Sequence, residues 1–119
     1  MTYTLYQYPR CSTCVKARKW LEAHNLDFDT LDLTVETPDI DTLRSLHARS
    51  GKPIKALFNT SGQSYRRGDF KTRLTAMNDD EKFLALAADG MLIKRPILIV
   101  GERVLIGFKE TEWSAACLA

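Results

Sequence analysis

The sequence predicts an α/β domain in which a mixed sheet is interrupted by a helical insertion. Three observations carry that prediction. The first third of the chain reads strand, helix, strand; residues 38 to 90 hold only helical patterns and loops; and a β-hairpin pattern returns at residues 97 to 106. The chain is expected to be one domain over residues 1–119, its sheet-bearing core formed by 1–35 and 91–119 and its helical insertion by 36–90. Neither a linker nor an internal repeat divides it.

Thr2-Tyr3-Thr4-Leu5-Tyr6 is β-branched and aromatic, as a strand requires, and Pro9 ends the ladder by removing a backbone donor. From Ser12 to Asn25 there is no Gly or Pro, and Cys14, Ala17, Trp20, Leu21 and His24 recur at spacings of three and four. That is an amphipathic helix. Phe28, Leu31 and Leu33 return as a second strand through a right-handed parallel crossover. Thr37 as N-cap, Pro38 at the first helical position and Asp39 and Asp41 in the first turn predict a helix that buries Ile40, Leu43 and Leu46 and stops before Gly51. Pro53 to Phe58 reads as a short helical turn, Asn59 to Ser64 as a polar loop, and Phe70, Leu74 and Met77 as a further short helix. Asn78 caps the next one, with Asp79, Asp80 and Glu81 in its first turn, Phe83, Leu84, Leu86 and Ala87 facing inward, and Gly90 at its C′ position. Ile97 to Val100, the turn Gly101-Glu102 and Val104 to Ile106 form the hairpin, and Lys109 to Ala116 closes as a last helix.

Composition narrows the function classes. Of 119 residues 45% are hydrophobic, and 17 Lys+Arg against 15 Asp+Glu leave a net charge of +2. With no block of like charges, a nucleic-acid surface built on charge is not expected. No run approaches the roughly 18 apolar residues of a membrane span, and no basic segment leads into an apolar stretch at the amino end, so a cytoplasmic protein without a membrane partner is expected. A chain of this size folds without staples, which frees its three cysteines for chemistry.

Two of them form Cys11-Ser12-Thr13-Cys14, and Cys117 stands alone. A pair this close in a reducing compartment is catalytic, redox-sensing or metal-binding. A zinc site would need two further ligands, and His24, His47 and Cys117 show no paired spacing, so no metal is expected. At a helix start the unpaired amides and the positive dipole end favour a thiolate at Cys11, with Arg10 and Lys16 adding charge. Cys14, on the first turn and nearer the core, can attack Cys11 once Cys11 has bonded a substrate sulfur. The alternative is a pair of inert core thiols. Cys117 reads as an incidental thiol near the terminus.

A Cys-x-x-Cys helix in a strand, helix, strand unit followed by a hairpin resembles a thioredoxin-like, glutaredoxin-like fold carrying a helical insertion. That resemblance implies a cis Arg95–Pro96 bond with Pro96 facing the nucleophilic cysteine, although Pro96 by itself also fits a strand start. Arg95 could hold an oxyanion or carboxylate through two parallel donors, or be an ordinary surface arginine.

Tyr8-Pro9-Arg10-Cys11-Ser12-Thr13-Cys14, Phe58-Asn59-Thr60-Ser61-Gly62, Asp89-Gly90-Met91-Leu92-Ile93-Lys94-Arg95-Pro96 and Ile106-Gly107-Phe108-Lys109 together resemble the arsenate reductase and Spx-like family. The resemblance implies a cytosolic thiol-disulfide oxidoreductase with Cys11 as nucleophile and Cys14 as resolving thiol. Ser12, Thr13, Arg95, Pro96 and Lys109 would line its substrate or oxyanion site. It implies no bound cofactor, and an external donor such as glutathione, glutaredoxin or thioredoxin. Glutaredoxin-coupled arsenate reductases typically have Ser where this chain has Cys14, and further arginines where it has Asn59-Thr60-Ser61 and Phe108-Lys109. A trivalent oxyanion needs several charged donors, so that departure argues against efficient arsenate reduction. The remaining implied role is a redox-sensing transcription regulator that binds the RNA polymerase α subunit near Gly51, a residue that a helix C′ position also explains.

Overall fold

A computed structural model of the chain describes residues 2–118. It opens with strand β1 (Tyr3–Gln7), helix α1 (Ser12–Ala23) and strand β2 (Phe28–Asp32), and β2 returns parallel to β1 with Tyr3 opposite Phe28 and Gln7 opposite Asp32. Helices α2 (Ile40–Ser50), α3 (Gln63–Arg67), α4 (Phe70–Arg73) and α5 (Asp79–Ala88) follow, with 3-10 turns at Ile54–Leu57 and Gly90–Leu92. Strands β3 (Ile97–Val100) and β4 (Arg103–Ile106) form the hairpin and helix α6 (Glu110–Cys117) closes the chain. The sheet order is β2-β1-β3-β4, with β3 antiparallel to both β1 and β4, so the sheet is mixed.

The period-two alternation of the strands separates two cores. Tyr3, Leu5, Leu98 and Leu105 point to one face and pack with Ala17 and Leu21 of α1 and Trp113 of α6. Tyr6, Ile97 and Val104 point to the other and pack with Leu33, Leu43, Leu46, Leu57, Phe83 and Leu86. Helices α2 to α5 therefore cover one face of the sheet while α1 and α6 cover the other. Trp113 is fully buried, and its indole N–H donates to the Gly107 carbonyl at 3.0 Å, so no unpaired group is left behind.

Local chemistry differs from the sequence pattern in five places. Asp39, not Thr37, caps α2 by accepting from the Thr42 N–H at 2.8 Å, while the Thr37 hydroxyl donates to the Leu33 carbonyl at 2.6 Å. Gly51 does end that helix with a left-handed φ of 67°. Asn78 caps α5 in a reciprocal capping box with Glu81, but Gly90 is not its left-handed terminus. Gly90 is required by space: a Cβ there would lie 2.0 Å from the Leu33 carbonyl oxygen. Leu84 and His24, both on apolar stripes by spacing, are exposed, His24 because α1 ends beside it. The loop after Phe58 is shorter than expected, since α3 already begins at Gln63. Finally, residues 38 to 90 are not wholly helical. Phe58 is extended and pairs with Ile93, flanked by the Asn59 N–H on the Leu92 carbonyl at 2.8 Å and the Lys94 N–H on the Leu57 carbonyl at 2.7 Å.

Candidate active site

The loop after β1 turns at Pro9, where the Cys11 N–H donates to the Tyr8 carbonyl at 3.0 Å. Cys11 is the N-cap of α1, in extended conformation, and its sulfur accepts the Cys14 backbone N–H at 3.2 Å. The thiol thus takes the place that a Ser or Asp oxygen usually occupies, at the end of the helix where the dipole favours negative charge. Cys11 is partly exposed and Cys14 fully buried, and both are free thiols. Burial pushes the Cys14 thiol up to about 12, its hydrogen bond with the Cys11 sulfur adds to the rise, and a backbone hydrogen bond from Tyr8 and the Arg95 charge oppose it. One sulfur faces outward and can meet a substrate; the other keeps its proton until something nearby can accept it.

Arg95 and Pro96 are joined by a cis peptide bond and lie before β3. Pro96 is buried, and its carbonyl accepts the Gly107 N–H at 2.8 Å. Gly107 has a φ of +77° and also receives the Trp113 indole, so one residue ties the end of the hairpin both to the core and to the Arg95–Pro96 turn. Held this way, the Arg95 side chain is half-buried. Its Nη1 donates to the Met91 carbonyl at 3.3 Å, and its guanidinium carbon lies 5.5 Å from the Tyr8 ring centroid. Its Nε is buried with no hydrogen-bond partner among the described residues. A desolvated charged N–H without an acceptor is costly.

Arg95 forms the wall between two cavities. The first, of about 380 Å³, is bounded by Thr13 of α1, Lys94, Arg95 and Lys109, and also by Lys52 and Lys55, which the turn after α2 brings in. The second, of about 390 Å³, sets Arg95 against Arg66 and Arg67 of α3. Among the described residues no carboxylate lines either one. Lys52 meets the Glu112 carboxylate at 3.1 Å.

Of the site residues expected from sequence, Thr13, Arg95 and Lys109 therefore share one groove; Cys11 and Cys14 touch at the start of α1, next to Thr13, but line neither cavity, and Pro96 is buried beside Arg95 without lining either one. Ser12 is exposed at the first position of α1 and does not line the groove. The sequence pattern places too little positive charge here; the structure adds Lys52, Lys55, Lys94, Arg66 and Arg67. Lys94 could have been found from its place beside Arg95. The others arrive only through tertiary contacts. Cys117 is not a loose terminal thiol: it is half-buried in α6 against the core around Tyr3, and burial raises its thiol while the Tyr3 hydrogen bond opposes the rise. Among the described residues no group of three or more His, Cys, Asp or Glu could hold a metal ion, and no helix is long and apolar enough to cross a membrane.

Comparison with known proteins gives the family and the fold. The model of the ArsC family matches residues 6–116. An uncharacterized protein of Bacillus subtilis, YusI, is 44% identical over 113 residues, covering 95% of this chain and 96% of its own. The global transcriptional regulator Spx of Lactiplantibacillus plantarum is 26% identical over 108 residues, 91% of this chain and 80% of that one. Among solved structures, an ArsC family related protein from Bacteroides fragilis has a TM-score of 0.93 at 37% identity, covering 98% of both chains. Arsenate reductase from Vibrio cholerae, at 20% identity, shares the fold with a TM-score of 0.82 over 98% of this chain and 95% of its own. The fold is thioredoxin-like, as the sequence predicts.

Proposed function

The chain belongs to the ArsC family, and on that footing we propose that it is a cytoplasmic thiol-disulfide reductase for anionic disulfide substrates, with Cys11 as nucleophile and Cys14 as resolving thiol. The observation that carries this reading is the Cys11 sulfur at the N-cap of α1, accepting the Cys14 N–H at 3.2 Å with the buried Cys14 thiol beside it. The Cys11 thiolate attacks one sulfur of the substrate disulfide; a Cys11–substrate mixed disulfide forms and the other half leaves as a thiolate. Cys14 then attacks the Cys11 sulfur. Its proton passes to the departing substrate sulfur, and a Cys11–Cys14 disulfide remains, which an external thiol such as glutathione, glutaredoxin or thioredoxin reduces with two electrons. Neither a metal nor an organic cofactor is needed for these steps.

The remaining site residues act on the substrate. Arg95, with Lys94, Lys109, Lys52 and Lys55, surrounds the groove with positive charge. Thr13 contributes from the helix start, and Pro96 fixes Arg95. Turnover of an anionic disulfide with a coupled external thiol tests the assignment: Cys11→Ser should abolish it, and full activity in that variant would sink the reading. An arsenate-dependent turnover assay run beside it separates general disulfide exchange from oxyanion reduction.

The Spx relative supports a second reading, a redox-sensing regulator that binds the RNA polymerase α subunit. The exposed left-handed turn at Gly51, open around its Cα, suits a docking corner. A pull-down with that subunit before and after diamide decides it; absence of binding in both states removes the idea.

A further inference from the structure

We propose that a cavity among the first 3-10 turn, α3, α4 and α5 binds a small organic monocarboxylate with an apolar body. The cavity has a volume of about 220 Å³. Its walls are Ile54, Tyr65 and Leu74, of which Tyr65 is buried while Ile54 and Leu74 pack against the larger core without being fully covered by it. Around them stand Lys55, Lys71 and Lys82. No Asp or Glu lines the cavity, and none of the three lysines forms an ion pair among the described residues.

Those two halves constrain the occupant. Three lysines lining one small hollow, with no carboxylate among the described lining residues, favour an anion there. The apolar walls gain from a ligand that displaces water from them. An inorganic anion would satisfy the lysines and leave the walls wet, whereas an uncharged apolar molecule would do the reverse. A carboxylate on an apolar stem satisfies both. The volume equals about seven waters' share of liquid and lies below the range of drug-sized pockets, which limits the ligand to about ten non-hydrogen atoms. Arg95 and the cysteines do not line this cavity, so the site stands apart from the reductase reading; Lys55 alone borders both.

The test is an amide-shift titration of the reduced protein with 3-phenylpropionate, 3-phenylpropanol and inorganic phosphate as separate probes. The carboxylate should give saturable shifts at Tyr65, Lys71, Leu74 and Lys82. The alcohol and phosphate should each bind at least about tenfold more weakly, the loss of one favourable contact. Lys71→Gln with Lys82→Gln should weaken carboxylate binding by a similar factor, and Lys71→Arg with Lys82→Arg should restore it. Because Lys71 is exposed and Lys82 only half-buried, these variants keep the fold. No saturation by about 10 mM, equal affinity for phosphate, or shifts confined to the residues around Arg95 would each overturn the proposal.

Discussion

Removing the Cys14 thiol should flatten the protein's alkaline stability profile. The thiol is pushed from its usual 9.0 to about 12, chiefly by burial. The unfolded chain releases this proton near pH 9, whereas the folded chain holds it to about 12. Between those values the folded state binds more protons, so stability falls as pH rises, by about 1.4 kcal/mol per unit. Below pH 9 both states are protonated and the group contributes no slope. From pH 7.5 to 10.5 the loss is about 2 kcal/mol, since only the part above pH 9 counts. Burial raises Tyr3 and Tyr6 in the same direction, but both remain in a Cys14→Ala variant, so their effect cancels when the two proteins are compared. Urea denaturation of both proteins at pH 7.5 and 10.5, with reductant present, gives the difference directly. Cys14→Ala should be the less stable protein at pH 7.5, because a buried side chain is truncated, and should recover about 2 kcal/mol relative to the parent at pH 10.5. Parallel pH profiles would refute the argument by showing that the folded chain ionises Cys14 as readily as the unfolded one.

Cys14→Ser should trap the substrate on Cys11, so that intact mass after exposure to a small disulfide shows a single mixed disulfide that the parent protein resolves; an unadducted variant would count against the resolving role. Replacing Lys94 and Lys109 by Gln should raise KM for an anionic disulfide by about threefold per lysine with kcat unchanged, an effect that added salt should erase. A neutral disulfide should show no such change. Gly90→Ala should destabilise the protein by about 3 kcal/mol in chemical denaturation, because its Cβ meets the Leu33 carbonyl, whereas Gly51→Ala meets no atom and should cost only about 1 kcal/mol for its left-handed backbone. Equal losses at the two glycines would contradict the steric reading.

These glycines also mark how far local sequence carries. Gly51 and the Asn78–Glu81 capping box are legible because each answers to residues a few places away. Gly90 follows a helix as a terminating glycine would, yet what requires it is the Leu33 carbonyl, far off in the chain. Thr37 and Asp39 are both reasonable caps, and the choice falls to Asp39 because the Thr37 hydroxyl is engaged by Leu33. Leu84 lies among apolar neighbours in sequence but points to solvent, since the face of α5 that meets the core is set by Phe83 and Leu86. In each case a second element decides between two locally acceptable answers.

The same division runs through the candidate site. The cysteine pair and its helix start occupy a few consecutive residues, so their juxtaposition follows from periodicity alone. The cationic wall does not. Lys52 and Lys55 reach the groove because Phe58 pairs with Ile93, which fastens the segment after α2 beside Lys94 and Arg95. Lys109 reaches it because Gly107 is held by both Pro96 and Trp113. A net charge of +2 over 119 residues is compatible with an even mixture of signs or with a strongly positive hollow. Here five cations line one cavity that, among the described residues, no carboxylate lines, and their charges add in their pull on an anion. The positive charge of this groove is therefore a property of two tertiary fastenings, the Phe58–Ile93 bridge and the Gly107 hub, and loosening either one should weaken anion recognition while leaving the Cys11 N-cap in place.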